Sequence, residues 1–348
     1  MLELSTLRAP IIAAPMAGGP STPALAAAVS NAGGLGFLAA GYKSSDQLGA
    51  ELDRLGELTR QPFGVNVFVP APATASPEEV GRYAARLAAE AARWGVAPGA
   101  PLHDDDGWAQ KIDLLLARPV PVVSFTFGLP DRAVIDALHA VGSSVVVTVT
   151  RPAEAAAAAG SGADALVVQG VEAGGHRGGF TDDGLDDTGL LVLLRLVAAE
   201  TGLPLVAAGG IADGRCLAAV LVAGAVAAQV GTALLRCPEA GTAPVHRQTL
   251  REARRTALTR AFTGRTARGL VNGFHTDHGA AAPAAYPEVH HVTAPIRAAA
   301  RRAGDPEPVN LWAGQGYPLS TDRPAAQVVA DLTATAATAI GDLAGRWG

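Results

Sequence analysis

The sequence predicts an α/β protein: a (β/α)8 TIM barrel of residues 1–243 and 322–348, with a mostly helical cap, 244–321, inserted after the eighth strand. Three observations lead there. Short apolar runs recur eight times, stretches of helical composition separate them, and the runs are apolar at successive positions rather than at every second one. Strands buried on both faces belong to parallel sheets covered by helices, and eight βα units close more readily into a barrel than they spread as an open sheet.

The strand candidates are IIAA from Ile11, LGFLA from Leu35, GVNVF from Gly64, PVVSF from Pro121, SVVVTV from Ser144, ALVVQ from Ala165, LPLVAA from Leu203 and AVAAQVG from Ala225. Helices are expected over Ser21 to Asn31, Ser76 to Trp94, Asp131 to Ala140, Pro152 to Gly160, Thr188 to Thr201 and Asp213 to Ala223, each opening on a residue suited to a helix start. GVAPGAPLHDDD, Gly95 to Asp106, interrupts the repeat. Its three aspartates read as the cap and first-turn charges of a helix beginning near Gly107. After the last strand, Val245 to Arg260 reads as helical, a Gly/Pro/His-containing region runs to about Thr321, and Ala325 to Leu343 closes the fold.

Composition narrows the function classes. The 348 residues are 49% hydrophobic and 17% charged with a net charge of -5, which supplies a large core and no basic surface for nucleic acid. Cys216 and Cys237 form no disulfide framework and lack zinc-site spacing, and the first residues lack a secretory pattern, so a reducing, cytoplasmic setting is expected. Leu217 to Leu235 is apolar enough to raise the question of a membrane span. Gly224 inside it and Asp213 before it favour a buried helix followed by a buried strand.

Barrels carry their chemistry in the loops after the strand C-termini. Those positions hold Pro15 and Met16, Asn66, Ser124, Thr148, Gln169, Gly209 and Gly210, and Gln229, Gly231 and Thr232. AAGGIADG after the seventh strand and QVGTALL after the eighth would expose backbone N–H groups beside a helix start and the Thr232 hydroxyl. A phosphate group suits that set, and two ordinary tight turns are the alternative. The amides of Asn66 and Gln169 with small neighbours suit a planar ring such as a flavin. In VVQGVEAGGHRGGF, His176 stands among glycines; taken alone, it reads as a surface turn.

Together these pieces resemble the nitronate monooxygenase family, FMN-dependent TIM-barrel enzymes that oxidise alkyl nitronates with O2. The resemblance rests on RAPIIAAPMAGG from Arg8, GGLGFLAAGY from Gly33, PFGVNVF from Pro62, VVSFTFGLP from Val122, QGVEAGGHRGGF from Gln169, PLVAAGGIADG from Pro204, QVGTALL from Gln229, TGRTARGLVN from Thr263 and LWAGQG from Leu311. It implies FMN held by Ala14, Pro15, Met16, Asn66, Thr148, Gln169, Gly174 and Gly175, its phosphate on Gly209, Gly210, Gly231 and Thr232, with Gln229 steadying the last loop. It also implies a catalytic His176 that takes the α-proton of a nitroalkane, a step that a nitronate does not need. Substrate-side candidates are Ser124, Trp312, Gln315 and Tyr317, and packing of cap on barrel suits the aromatic pair equally. Arg265 and Arg268 suggest cap anchors.

The partners expected are therefore a small nitronate or nitroalkane and O2. His275, His278, His290 and His291 match no metal-ligand spacing and read as solvated or packing residues. The alternatives on this fold are an NAD(P)H-dependent quinone or enoyl-thioester reductase and a non-catalytic flavin-binding barrel. Resemblance to IMP dehydrogenases fails, because the loop after strand six lacks their cysteine.

Overall fold

The computed structural model describes residues 3–184 and 187–347. Strands β1 (Ile11–Ala13), β2 (Gly36–Ala39), β3 (Phe63–Phe68), β4 (Val122–Thr126), β5 (Ser144–Val149) and β6 (Ala165–Gln169) follow one another in the chain. β7 (Gly175–His176) belongs to a second sheet, and β8 (Leu205–Ala208) and β9 (Ala227–Val230) return to the first. The eight-stranded sheet is parallel throughout, in the order β1-β9-β8-β6-β5-β4-β3-β2. Its edges meet: Ile12 bridges Leu35, Ala13 N–H donates to Leu35 O at 2.9 Å, and Leu35 N–H donates to Ile11 O at 2.9 Å. The sheet is thus a closed (β/α)8 barrel, and closure leaves no strand edge unpaired.

Both strand faces are apolar because each meets its own core. Ile12, Leu35, Phe37, Val122, Val146, Val167 and Val206 fill the barrel interior. Val65, Val123, Val147 and Val168 point outward and pack with Leu25, Leu48, Leu115, Ile135 and Leu193 of the helices. Each fully buried Val, Leu or Ile contributes about 1.5–3 kcal/mol relative to exposure.

The covering helices are α1 (Pro23–Asn31), α2 (Ser45–Leu58), α3 (Pro77–Arg86), α4 (Ala88–Arg93), α5 (Trp108–Ala117), α6 (Arg132–Ala140), α7 (Pro152–Gly160), α8 (Leu190–Glu200) and α9 (Gly214–Val222). Their starts have local causes. Ser44 with Gln47, and Ser76 with Glu79, form reciprocal capping boxes, while the Asp213 carboxylate accepts Cys216 N–H at 2.8 Å. The suspected membrane segment is α9 followed by β9, and no helix among the described residues is long and apolar enough to cross a membrane.

Residues 244–321 carry α10 (Pro244–Thr249), β10 (Thr256–Thr259), β11 (Ala267–Leu270), α11 (Gly273–His278) and α12 (Glu288–Ala303), before α13 (Ala325–Trp347) closes the chain against α9. Three local readings are corrected. The helix expected from Val245 to Arg260 stops at Thr249. β10 follows and pairs antiparallel with β11, which pairs with β7, so part of the cap is a ribbon grown from the glycine loop after β6. The helix expected from Ser76 to Trp94 breaks at Leu87 into α3 and α4.

The aspartate run also has a different role. α5 begins after Gly107, which sits at φ 65° with no side-chain cap. Asp106 instead accepts Tyr42 N–H at 2.9 Å and pairs with the fully buried Lys111 at 2.7 Å, and Asp104 contacts His291 at 2.8 Å. Asp106 serves the Lys111 ammonium of the same helix in place of a cap, because a buried ammonium requires a nearby anion.

Candidate active site

A cavity of about 540 Å³ opens where the C-terminal ends of the barrel strands meet the cap. Strand periodicity explains its polar floor. Alternate residues face the interior, so the row Val122, Ser124, Thr126 on β4 climbs from apolar core to hydroxyl, and Val146 to Thr148 on β5 and Val167 to Gln169 on β6 do the same. Thr126, Thr148 and Gln169 line the cavity. Ser124 lies beneath it, buried, receiving a hydrogen bond from Asn66 Nδ2 at 2.9 Å.

On one wall the chain presents backbone. Gly209 and Gly210 have φ of 114° and 69°, conformations that L side chains rarely adopt, and Gly231 lies so near β1 that a Cβ there would stand 3.2 Å from Ala14 Cβ and 3.5 Å from Met16 Sδ. Thr232 Oγ1 accepts Gly314 N–H at 3.0 Å, which draws the 311–316 segment onto the same turn. Ala14, Pro15, Met16, Gly174, Gly175 and Gln229 complete this side.

The amides have prior commitments. Asn66 Nδ2 donates to Ser124 O, Ser124 Oγ and Thr126 Oγ1, leaving Oδ1 as its acceptor. Gln169 shapes the glycine loop: its Nε2 donates to His176 O at 3.1 Å, and its Oε1 accepts Gly178 N–H at 2.8 Å and Arg177 Nη1 at 3.1 Å.

These bonds and the β7–β11 pairing carry His176 inward instead of leaving it on a surface turn. Its ring packs against Phe127, Tyr286 and Trp312 at 5.5–5.7 Å between centroids, and Nε2 lies 2.9 Å from Thr263 Oγ1. Burial, and secondarily the charge of Arg265, push its pKa down from 6.5 to about 3, so the imidazole is neutral across ordinary pH. Arg265 anchors the loop by donating from Nε to Arg177 O at 3.1 Å and from Nη2 to Gly179 O, with its guanidinium 4.1 Å from the Phe127 ring centre. Arg268 donates to Val171 O at 2.9 Å.

Of the cap residues singled out in the sequence, Trp312 lines the cavity. Tyr317 is buried outside it, its hydroxyl receiving Arg254 N–H at 2.8 Å, and the Gln315 side chain is exposed while its backbone N–H donates to Glu172 O.

Sequence reasoning passed over several wall residues. Tyr42 and Phe127 both adopt positive φ, 66° and 79°, and both line the cavity. His290, read as solvated or packing, stacks on Tyr42 with ring centres 4.2 Å apart, and burial and Arg297 lower its pKa to about 2. Arg297 is buried on the same wall, bonded to Thr293 Oγ1, His290 O and Asn310 Oδ1, its pKa lowered to about 10 by burial. His246 also faces the cavity, with Nε2 unpartnered among the described residues and its pKa lowered to about 4. The spacing of His290, Ala294, Arg297 and Arg301 on one face of α12 was the available signal, but nothing local told which face would be covered. No group of three or more His, Cys, Asp or Glu among the described residues is placed to hold a metal ion.

Comparison with known proteins identifies the family. A profile described as nitronate monooxygenase matches residues 1–335. The chain is 43% identical to a nitronate monooxygenase of Pseudomonas aeruginosa over 95% of this chain and 97% of that protein. It is 41% identical to one of Paraburkholderia phytofirmans over 95% and 93%. Among solved structures, a nitroalkane oxidase from Streptomyces ansochromogenes superposes with a TM-score of 0.95 at 51% identity, covering 98% of this chain and 99% of that one. FabK from Thermotoga maritima gives 0.75 at 29%, covering 99% and 97%. With a closed barrel, a glycine-lined cavity and an inward histidine in one chain, and relatives matched over nearly their full length, the protein belongs to the nitronate monooxygenase family of oxidoreductases.

Proposed function

We propose that the protein uses FMN to oxidise alkyl nitronates, or nitroalkanes after loss of their α-proton, with O2 as oxidant and a carbonyl compound and nitrite as products. The observation that carries this reading is the coincidence, in one cavity, of a side-chain-free cradle and a neutral buried imidazole. The cradle fits the cofactor: a Cβ at Gly231 would crowd Ala14, positive φ keeps Gly209 and Gly210 bare, and backbone N–H groups with the Thr232 hydroxyl supply donors for a phosphate. Ala14, Pro15, Met16, Gly174 and Gly175 would lie along the ring system, with Asn66, Thr148, Gln169 and Gln229 as its polar neighbours. Bound FMN supplies the electron acceptor for the substrate and the route by which electrons reach O2.

The chain's own part is orientation and proton handling. Phe127, Tyr286 and Trp312 hold the His176 ring among apolar surfaces, which exclude water from the proton in transit. The neutral imidazole accepts the α-proton of a nitroalkane, a step that a nitronate does not need. Burial leaves it a weak base whose lone pair stays free across ordinary pH.

The test is an absorbance spectrum of the purified protein followed by anaerobic addition of ethyl nitronate or of NADH. Bleaching by the nitronate, with nitrite formed once air is admitted, is expected. Bleaching by NADH alone would replace this reading with a reductase, and flavin bound without reduction by either would leave a non-catalytic barrel. His176→Asn is expected to lower turnover of nitroethane by about 10²-fold or more, the usual size of general-base catalysis, with a much smaller effect on ethyl nitronate.

A further inference from the structure

Thr263 sits in the turn between β10 and β11, 1% exposed, and its hydroxyl has three neighbours. Oγ1 is 2.9 Å from His176 Nε2, 3.3 Å from Arg265 O and 3.4 Å from Arg265 N. One proton and two lone pairs must serve all three. The Arg265 N–H brings its own proton and takes a lone pair. The buried Arg265 carbonyl receives no other hydrogen bond among the described residues, so it requires the hydroxyl proton; an orphaned buried carbonyl is costly. What remains for His176 is the second lone pair, which accepts only from a protonated Nε2. Gly264, next in the turn, holds this arrangement closed: at φ 79°, a Cβ there would meet Ala285 O at 2.2 Å.

We propose that Thr263 is a positioning residue that fixes His176 as the Nε2–H tautomer and so makes Nδ1 the atom that receives the α-proton of a neutral nitroalkane. This rests on the reading of His176 as the base given above. In the step, the substrate's α C–H bond breaks, its electron pair passes into the nitro group to give the nitronate, and the proton joins the Nδ1 lone pair. The imidazolium keeps its Nε2–H on Thr263 Oγ1, which stabilises the new charge. A tautomer with Nδ1–H would present a proton to the substrate carbon and could not take one. Fixing the ring through the nitrogen away from the reaction is the way metal-bound and catalytic histidines are commonly oriented.

The experiment uses the flavin-loaded protein with 15N-labelled histidine, Thr263→Val to delete the hydroxyl at nearly constant volume, Thr263→Ser to keep it, and His176→Asn to assign the signal. The wild type should show His176 protonated at Nε2 alone. Thr263→Val should lose that preference and fall at least about tenfold in kcat/KM for nitroethane while staying within about twofold for ethyl nitronate, and Thr263→Ser should match the wild type on both. A wild-type ring protonated at Nδ1, a Thr263→Val ring still protonated at Nε2, or equal losses on both substrates would overturn the proposal. An unchanged nitroethane rate in His176→Asn would instead overturn the base role, and the tautomer measurement would stand independently of it.

Discussion

The glycine turns after β8 and β9 and the inner face of α12 line the same cavity, and they are made in opposite ways. The turns present backbone: Gly209, Gly210 and Gly231 have no side chains, and positive φ or crowding at Ala14 keeps them bare. α12 presents His290, whose ring stacks on the distant Tyr42, and Arg297, which bonds Thr293 and His290 of its own helix and Asn310 beyond it. A backbone wall is set by a few residues in succession. A side-chain wall exists only once distant segments have docked, so the first should govern ligand affinity and the second the stability of the cap.

That contrast is open to direct attack. The largest effect is expected from Gly231→Val, which fills the cradle: flavin affinity should drop at least a hundredfold, about 2.7 kcal/mol, while crowding against Ala14 and Met16 costs about 1 kcal/mol in urea unfolding. Flavin titration of the apoprotein checks it, and full retention of FMN would remove the cradle from the binding site. Arg297→Met should do the reverse, costing about 2 kcal/mol of stability through the charge-assisted bonds it deletes while flavin affinity stays within a few-fold. A variant that lost flavin and kept its stability would show the two walls exchanged in role.

Acid tests the buried histidines one ring at a time. His176, His246 and His290 are held at about 3, about 4 and about 2, against about 6.5 in an unfolded chain. Below pH 6.5 the unfolded chain takes up protons that the folded one refuses. The stability due to these rings is therefore complete above that pH and is lost as pH falls towards the folded values. By pH 5 each ring should cost about 2 kcal/mol, and His246→Phe should reduce the loss between pH 7 and pH 5 in urea titrations. The smallest effect belongs to Gln315→Ala: its side chain is exposed and outside the cavity, so kcat/KM on ethyl nitronate should not move.

The legible parts of the molecule share a property with the backbone wall. Eight strands, most helix starts and the glycine turns are each written in neighbouring residues: apolar runs, the Ser-x-x-Glu box at Ser76, Gly-Gly before a helix; the equally local Ser-x-x-Gln box that opens α2 was passed over. The illegible parts are long-range. β10 was hidden in Arg-rich, helix-like composition and β11 in the Gly/Pro/His-containing region after it, because the ribbon is stabilised by β10–β11 pairing and by β11 on Gly175–His176 rather than by its own propensity. The aspartates before α5 look like a cap until the distant Tyr42 N–H meets Asp106 and the His291 ring meets Asp104. Ser124, Gln315 and Tyr317 stand at plausible positions along the chain yet off the cavity wall, because distance from a strand end says nothing about depth or direction.

By itself the amino-acid order determined the barrel, the bare turns at its last two strands and a histidine set among glycines, since hydrophobic period and φ preference act over a few residues. Only the tertiary structure decided that this histidine turns inward, loses its affinity for protons and meets Thr263. Burial and hydrogen-bond partners at a separation of 87 residues are properties of the packed chain.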